Sequence, residues 1–314
     1  MIIAGPTAVG KSALALAVAR QAPGEIIVAD SMQVYMDLDI GTGKPTAAER
    51  AAVPHHLLDR CSPTESFSAG EFLRQASRLV DEIRSRGRLP VVAGGTGLYL
   101  RAFLRGRLAG VGGDPKIRAR LMAEAQEAGS AALLARLAAL DPASTARIQP
   151  GDLRRIVRAL ELWELTGETP SLLRPGLWDP PQTRVAGCLV LTRERPEQYR
   201  LIDERCRRMW AGGLLDETRR LLALGDAETI RPLQALGYRQ AAAFLTGRLS
   251  AEAALADMQR ATRNYAKRQL TWFRREPGAR WLQVEGWEWV EPVSRRLLAG
   301  EWETIGVPVG GAQA

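Results

Sequence analysis

The sequence predicts an α/β protein in which a parallel sheet flanked by helices is interrupted by an all-helical insertion. Three observations carry this. Short apolar runs alternate with helical patterns up to about residue 110, strand signals are missing from about 111 to 179, and they resume at Val185 to Thr192.

The elements follow in order. Ile2-Ile3 is a short apolar strand, Lys11 to Gln21 an Ala- and Leu-rich helix, and Ile26 to Ala29 a second strand. Ser68 to Arg86 has helical spacing through Phe72, Leu79 and Ile83, with Gly87 as its stop, and Pro90 to Ala93 is a third strand. Strand, helix, strand in this rhythm gives parallel pairing. Asp114-Pro115 supplies an N-cap and a first-turn proline, opening helices at about 115 to 128, 130 to 140 and 152 to 166. After Val185 to Thr192, one long helix is expected from Pro196 to Leu224 and another from Ser250 to Arg275. This organises the chain as a core at 1–110 and 180–305, a helical insertion at 111–179, and a frayed tail from Gly306 to Ala314.

Composition excludes several classes. Hydrophobic residues at 46% and charged ones at 25% support a packed core rather than disorder. Cys61, Cys188 and Cys206 lie far apart and His55 and His56 are the only histidines, so neither a zinc site nor a disulfide framework is expected. No apolar run is long enough for a membrane span, and the motif at Gly5 leaves no room for a leader ahead of it, so a cytoplasmic location is expected. The balance of 43 basic against 35 acidic residues gives +8, which suits a polyanionic partner or serves solubility.

Gly5-Pro6-Thr7-Ala8-Val9-Gly10-Lys11-Ser12 fits the phosphate-loop pattern at every fixed position, between an apolar strand and a helix. Glycines let the backbone wrap an anion, so that N–H groups and the helix N-terminus point at phosphate oxygens. Lys11 adds a charge and Ser12 can ligate Mg²⁺. The core is therefore read as P-loop NTPase-like, holding a diphosphate whose identity the loop leaves open. The third strand runs into Gly94-Gly95-Thr96-Gly97, without the aspartate that a hydrolysing ATPase places there, and Thr96 is the functional candidate. Asp30 ends the second strand and should face the phosphates, where a carboxylate can accept a proton or position Mg²⁺, or instead cap the following turn. Ser31, Met32, Gln33 and Tyr35 border the same cleft.

Two basic stripes complete the reading. From Gln259 to Arg275 there is no acidic residue, while Arg260, Arg263, Lys267, Arg268, Arg274 and Arg275 are basic. Arg260, Lys267 and Arg274 repeat every seven residues, about 200° from Met258, Tyr265 and Trp272, so one face is cationic and the other apolar. In the insertion, Arg154, Arg155 and Arg158 flank a stripe of Leu153, Ile156, Val157, Leu160 and Trp163, with Glu161 and Glu164 able to offset them. Both stripes suit an extended polyanion.

With these residues in place, the chain resembles the isopentenyl-tRNA transferase (tRNA dimethylallyltransferase) family. The resemblance runs through 5–12, Asp-Ser-Met-Gln-Val-Tyr at 30–35, Asp-Ile-Gly-Thr-Gly-Lys-Pro at 39–45 and Pro-His-His-Leu-Leu-Asp at 54–59. It continues through Gly-Gly-Thr-Gly-Leu-Tyr at 94–99, Arg-Arg-Ile-Val-Arg-Ala-Leu-Glu at 154–161, Gly-Tyr-Arg at 237–239 and the basic segment 262–274. It implies transfer of a dimethylallyl group from dimethylallyl diphosphate to N6 of adenosine 37, beside the anticodon of tRNAs reading codons that begin with U. On that resemblance Gly5 to Ser12 hold the diphosphate with Mg²⁺, Asp30 accepts the N6 proton, and Thr96 holds Asp30 or the diphosphate. Arg219, in Asp216-Glu217-Thr218-Arg219, neutralises the diphosphate, and Arg118 is a further active-site arginine. The tRNA anticodon stem-loop would meet Asp30, Ser31, Met32 and Gln33 at the flipped base, together with Gly237, Tyr238, Arg239, Arg154, Arg155, Arg158, Arg263, Lys267 and Arg268. A monomer is expected. Gln149 and Gly151 stand where the family usually has His and Asn, and Gln240 where Glu is common. A nucleoside or shikimate-type kinase also pairs such a loop with a carboxylate, but has no use for the acid-free helix.

Overall fold

The structure is a computed structural model describing residues 1–105, 112–173, 187–227, 229–276 and 278–308. Its sheet contains β1 (Ile2–Ala4), β2 (Gly24–Ala29), β3 (His55–His56), β4 (Leu89–Gly94), β5 (Cys188–Thr192), β6 (Ala279–Gln283) and β7 (Val307–Pro308). The spatial order is β3-β2-β4-β1-β5-β6-β7. All pairings are parallel except β6 with β7. β1 sits centrally, in register with β4 through Ile2 and Val92 and with β5 through Ile2 and Cys188. Strands covered on both faces need continuous apolar runs, which is why Ile2-Ile3, Ile26 to Ala29 and Val91 to Ala93 do not alternate with polar residues.

The helices in chain order are α1 (Lys11–Gln21), α2 (Ala47–Ala52), α3 (Ala69–Ser85), α4 (Gly97–Arg105), α5 (Pro115–Ala128), α6 (Ser130–Leu140), α7 (Pro142–Thr145) and α8 (Leu153–Thr166). They continue as α9 (Pro170–Leu173), α10 (Arg195–Met209), α11 (Leu215–Leu224), α12 (Tyr238–Leu245), α13 (Ala251–Phe273) and α14 (Val290–Leu298). Their starts are chemically marked. The hydroxyls of Thr46, Ser68 and Ser250 accept from the N–H groups of Glu49, Glu71 and Ala253, and the Asp114 carboxylate accepts from Lys116 N–H ahead of Pro115.

The chain divides into two compact units, Met1–Leu104 with Thr183–Ala314, and Arg105–Gln182. In the first, Leu14, Ala15 and Val18 of α1 pack with Ile3, Val91, Leu189, Leu191, Val293 and Leu297. Each such side chain taken out of water contributes about 1.5–3 kcal/mol. The second unit closes on Leu121, Leu133, Leu137, Ile156, Val157 and Leu160. The Glu161 carboxylate is fully buried there and satisfied. It accepts from Asp114 N–H at 2.7 Å and pairs with Arg118 at 2.8 Å and Arg158 at 2.6 Å. Arg120 and Arg136 take Glu164.

Three expectations need correction. The single helix from Pro196 to Leu224 is broken, because the chain kinks at Gly213, whose φ of 121° is not helical, and α10 is thereby separated from α11. The tail is not frayed throughout, since Val307–Pro308 pairs antiparallel with β6; residues 309–314 lie outside the described ones. The deepest positions of α13 are Ala254, Met258, Ala266, Gln269 and Phe273, while Tyr265 and Trp272 are only half-buried. Val185 and Ala186, expected to open the fifth strand, also fall outside the described residues.

Candidate active site

The C-terminal ends of β1, β2 and β4 converge on one cavity of about 840 Å³ within the first unit. Its wall includes Lys11, Arg205, Arg208, Arg239, Arg260 and Arg268, against Asp30 and Asp257 as its only carboxylates among the described residues. Cationic groups therefore outnumber acidic ones where strand ends and a helix N-terminus meet. That is the setting for a polyphosphate.

The phosphate loop forms one side. Gly10 has φ 112°, a conformation closed to other residues at low cost, and a Cβ there would stand 2.9 Å from Trp289. Ala8 is also left-handed, at φ 64°. The N–H groups from Ala8 to Ala13 donate to no acceptor among the described residues and are free for an anion. Thr7 is different, because both its polar backbone groups are clamped by buried glutamines. Its N–H donates to Gln269 Oε1 at 3.0 Å and its carbonyl accepts from Gln198 Nε2 at 2.6 Å. Gln269 also donates to the Gly95 carbonyl at 2.8 Å, tying α13 to the loops after β1 and β4. Arg193, buried over Trp287, donates to the carbonyls of Val9 at 3.2 Å and Gly286 at 2.6 Å.

Lys11 donates to the Pro6 carbonyl at 2.7 Å. Burial, and then the neighbouring Arg205 guanidinium, push its ammonium down to about 7 against the pull of Asp30. Burial likewise lowers Arg205, with Asp30 opposing. These three charges sense one another across the cavity.

Asp30 caps the following turn and also lines the cavity. Oδ1 caps the turn, accepting from the N–H groups of Met32 at 2.8 Å and Gln33 at 3.3 Å. Oδ2 accepts no hydrogen bond among the described residues and borders the cavity. Thr96 does not touch Asp30. Its hydroxyl accepts from Ser31 N–H at 3.0 Å and so fixes the turn that aims Asp30. Ser31, Met32 and Gln33 line the same wall.

Other expected residues are placed differently. Arg219 does not line the cavity. It sits on the outer side of α11, paired with Asp216 of its own helix at 2.5 Å. Arg205 and Arg208 of α10 bring positive charge to the cavity instead. Arg118 belongs to the helical unit, where Glu161 holds it. Tyr238, expected at an RNA surface, is fully buried, and its hydroxyl donates to Glu217 at 2.7 Å. Gly237 turns the chain into α12, and Arg239 lines the cavity. Gln240 is satisfied at both ends of its amide. Its amide accepts from Gly237 N–H and donates to Asp257 at 2.8 Å, where a second carboxylate would repel.

Among the RNA-facing candidates, Lys267 is exposed, Arg268 stands over the Tyr265 ring, and Arg263 pairs with Asp203 at 2.5 Å. Arg155 pairs with Asp152 and Arg158 with Glu161. Arg154 is exposed. Arg195, Arg263 and Lys267 also gather round the Tyr199 ring within 6.0 Å.

Sequence reasoning missed Arg205, Arg208, Gln198 and Gln269. A signal existed for Arg205, four residues after Leu201 and so on the edge of the buried face of α10. None existed for the glutamines, whose spacing is that of ordinary helix residues.

A phosphate loop, an aspartate at the adjacent strand end and a basic wall are the features of a group-transfer enzyme with a phosphate-bearing substrate. The IPP transferase family model matches residues 33–276. A tRNA dimethylallyltransferase of Anaeromyxobacter dehalogenans is 48% identical over 301 residues, covering 95% of this chain and 96% of its own. One from Myxococcus xanthus is 48% identical over 281 residues, covering 90% and 91%. The crystal structure of the full-length tRNA isopentenylpyrophosphate transferase from Bacillus halodurans superposes with TM-score 0.68 at 38% identity, covering 96% of each chain. A eukaryotic dimethylallyltransferase acting on tRNA gives TM-score 0.81 at 26% identity, covering 98% of this chain and 80% of that one. The chain belongs to the IPP transferase family.

Proposed function

We propose that this enzyme, a tRNA prenyltransferase, moves the dimethylallyl group of dimethylallyl diphosphate onto N6 of adenosine 37 in tRNAs reading codons that begin with U. The observation that carries the reading is the pairing, across one cavity, of an anion-binding backbone nest with a carboxylate oxygen left free of hydrogen bonds.

N6 belongs to an amidine-like system and is a poor nucleophile, so positioning and stabilisation of departing charge dominate the barrier. N6 attacks C1 of the prenyl chain as the C1–O bond breaks. The electron pair leaves on the diphosphate, held by the amides of Ala8 to Ala13, Lys11 and Arg205, and the N6 proton passes to Asp30 Oδ2. Thr96 keeps the Asp30 turn in place through Ser31. For the base to reach this point it leaves its stack and lies against Ser31 to Gln33. Lys267, Arg263 and Arg268 on α13 and Arg154, Arg155 and Arg158 on α8 meet the phosphates of the stem-loop.

No three His, Cys, Asp or Glu side chains gather as a metal cage among the described residues. The Ser12 hydroxyl nonetheless suits Mg²⁺, which would be held there by a hydroxyl and substrate phosphates, leaving Asp30 Oδ2 free for the proton. When bound, it would neutralise the diphosphate. No helix among the described residues is long and apolar enough to cross a membrane.

Incubating purified protein with dimethylallyl diphosphate and tRNA, then digesting the tRNA for mass analysis, tests the proposal. One C5H8 unit on the adenosine beside the anticodon is expected. Unmodified tRNA, or transfer of a phosphoryl group from ATP to a nucleoside, would overturn it.

A further inference from the structure

The motif Asp216-Glu217-Thr218-Arg219 carries a group whose role differs from that of its arginine. Glu217 is 3% exposed, yet its carboxylate is fully satisfied. Oε1 accepts from the N–H groups of Asp39 and Ile40, each at 2.7 Å, and Oε2 from Gly41 N–H at 2.9 Å and the Tyr238 hydroxyl at 2.7 Å. A charge this buried persists only where every lone pair is met. The loop it grips is a wall of the cavity, through Gly41, Thr42 and Gly43.

The far end of that loop meets the reaction. The Thr42 carbonyl accepts from Arg205 at 3.3 Å and from the Gln33 amide at 3.3 Å, and a Cβ on Gly43 would stand 2.2 Å from the Arg205 guanidinium. Ile40 packs over Gly212 and Gly213. The kink at Gly213 redirects the chain between Arg205 and Glu217. In a continuous helix Arg205 and Glu217 would lie about 18 Å apart along the axis and about 120° apart around it, whereas here both address one loop.

We infer that Glu217 is a positioning residue: it fixes residues 39–43 and thereby sets the placement of Arg205 opposite the diphosphate loop. This rests on the reading of Arg205 as a diphosphate cation. Glu217 itself contacts no substrate, so its effect passes through Arg205 and is not added to it.

A double-mutant cycle over Glu217→Gln and Arg205→Ala tests this, with kcat/KM for dimethylallyl diphosphate measured per folded enzyme. Glu217→Gln keeps the volume and loses the charge that three N–H groups share. Misplacing a catalytic group by about 1 Å costs up to about a hundredfold, so a loss of about ten- to a hundredfold is expected in the single variant. Only a small further loss is expected in the Arg205→Ala background, because residues acting as one unit are not additive. Tyr238→Phe, which removes one of the four bonds, gives a smaller loss of about threefold and serves if Glu217→Gln does not fold. Wild-type kcat/KM in the folded variant, or equal losses with and without Arg205, would overturn the inference while leaving the proposed function intact. An unimpaired Arg205→Ala would instead strike the reading of Arg205, and the inference with it.

Discussion

The phosphate loop and the loop at residues 39–45 both line the cavity, yet they take their shapes from different sources. The first takes its anion-binding curvature from its own residues, through Gly10, left-handed Ala8 and the N-terminus of α1, with Gln198, Gln269 and Arg193 bracing only Thr7 and the Val9 carbonyl. The second is shaped by side chains that arrive from far along the chain. Glu217 bonds Asp39 N–H across 178 positions, Arg205 reaches Thr42, and buried Lys44 ties the loop to Asp59 at 2.5 Å. Backbone nests are local and therefore appear as sequence motifs, whereas a loop stapled by distant carboxylates and cations does not.

The largest expected effect falls on the local side. Lys11→Met should lower kcat/KM for dimethylallyl diphosphate by about a thousandfold, since a preorganised charge at a departing anion is the strongest lever in such a site. The same group gives a pH signature. A lysine held at about 7 is charged below that value, so diphosphate capture by the free enzyme should weaken as pH rises through about 7. Lys11→Arg should flatten that limb of the profile; a limb that persists in Lys11→Arg belongs to another group.

Next comes the contrast between the two arginines. Arg205→Ala should cost about a hundredfold in kcat/KM, and Arg219→Ala less than about twofold, because Arg219 pairs with Asp216 away from the cavity. Steady-state kinetics on both variants decides it, and the reverse ranking would restore the assignment made from the motif. Gln269→Ala should raise KM for the diphosphate by about tenfold with little change in tRNA affinity, since it frees Thr7 and Gly95 without touching the basic face of α13. An unchanged KM would mean that the loop holds its shape alone. The smallest effect is electrostatic. Replacing Arg263 and Lys267 together should reduce the slope of log affinity against log salt by about two, as measured by filter binding, and an unaltered slope would remove them from the RNA interface.

The parallel sheet, the phosphate loop, the place of Asp30 at its strand end and the cap at Asp114 were legible because each depends on neighbours within a few residues. The break at Gly213 was not. A glycine inside an otherwise periodic helix is tolerated as well as able to end it, so Gly212-Gly213 alone does not announce the break. Tyr238 and Arg219 were assigned by motif, but a motif reports that residues belong together without saying which one faces the ligand. Gln198 and Gln269 were invisible, since burying an amide is favourable only once a distant backbone supplies its partners.

In the proposed reaction Asp30 takes the proton from the attacking amine while the phosphate loop takes the leaving group. Single-turnover prenylation by Asp30→Asn, at saturating dimethylallyl diphosphate and tRNA, tests it most directly. A fall in rate of about a hundred- to ten-thousandfold is expected with tRNA affinity preserved. A near-normal rate in that variant would contradict the claim.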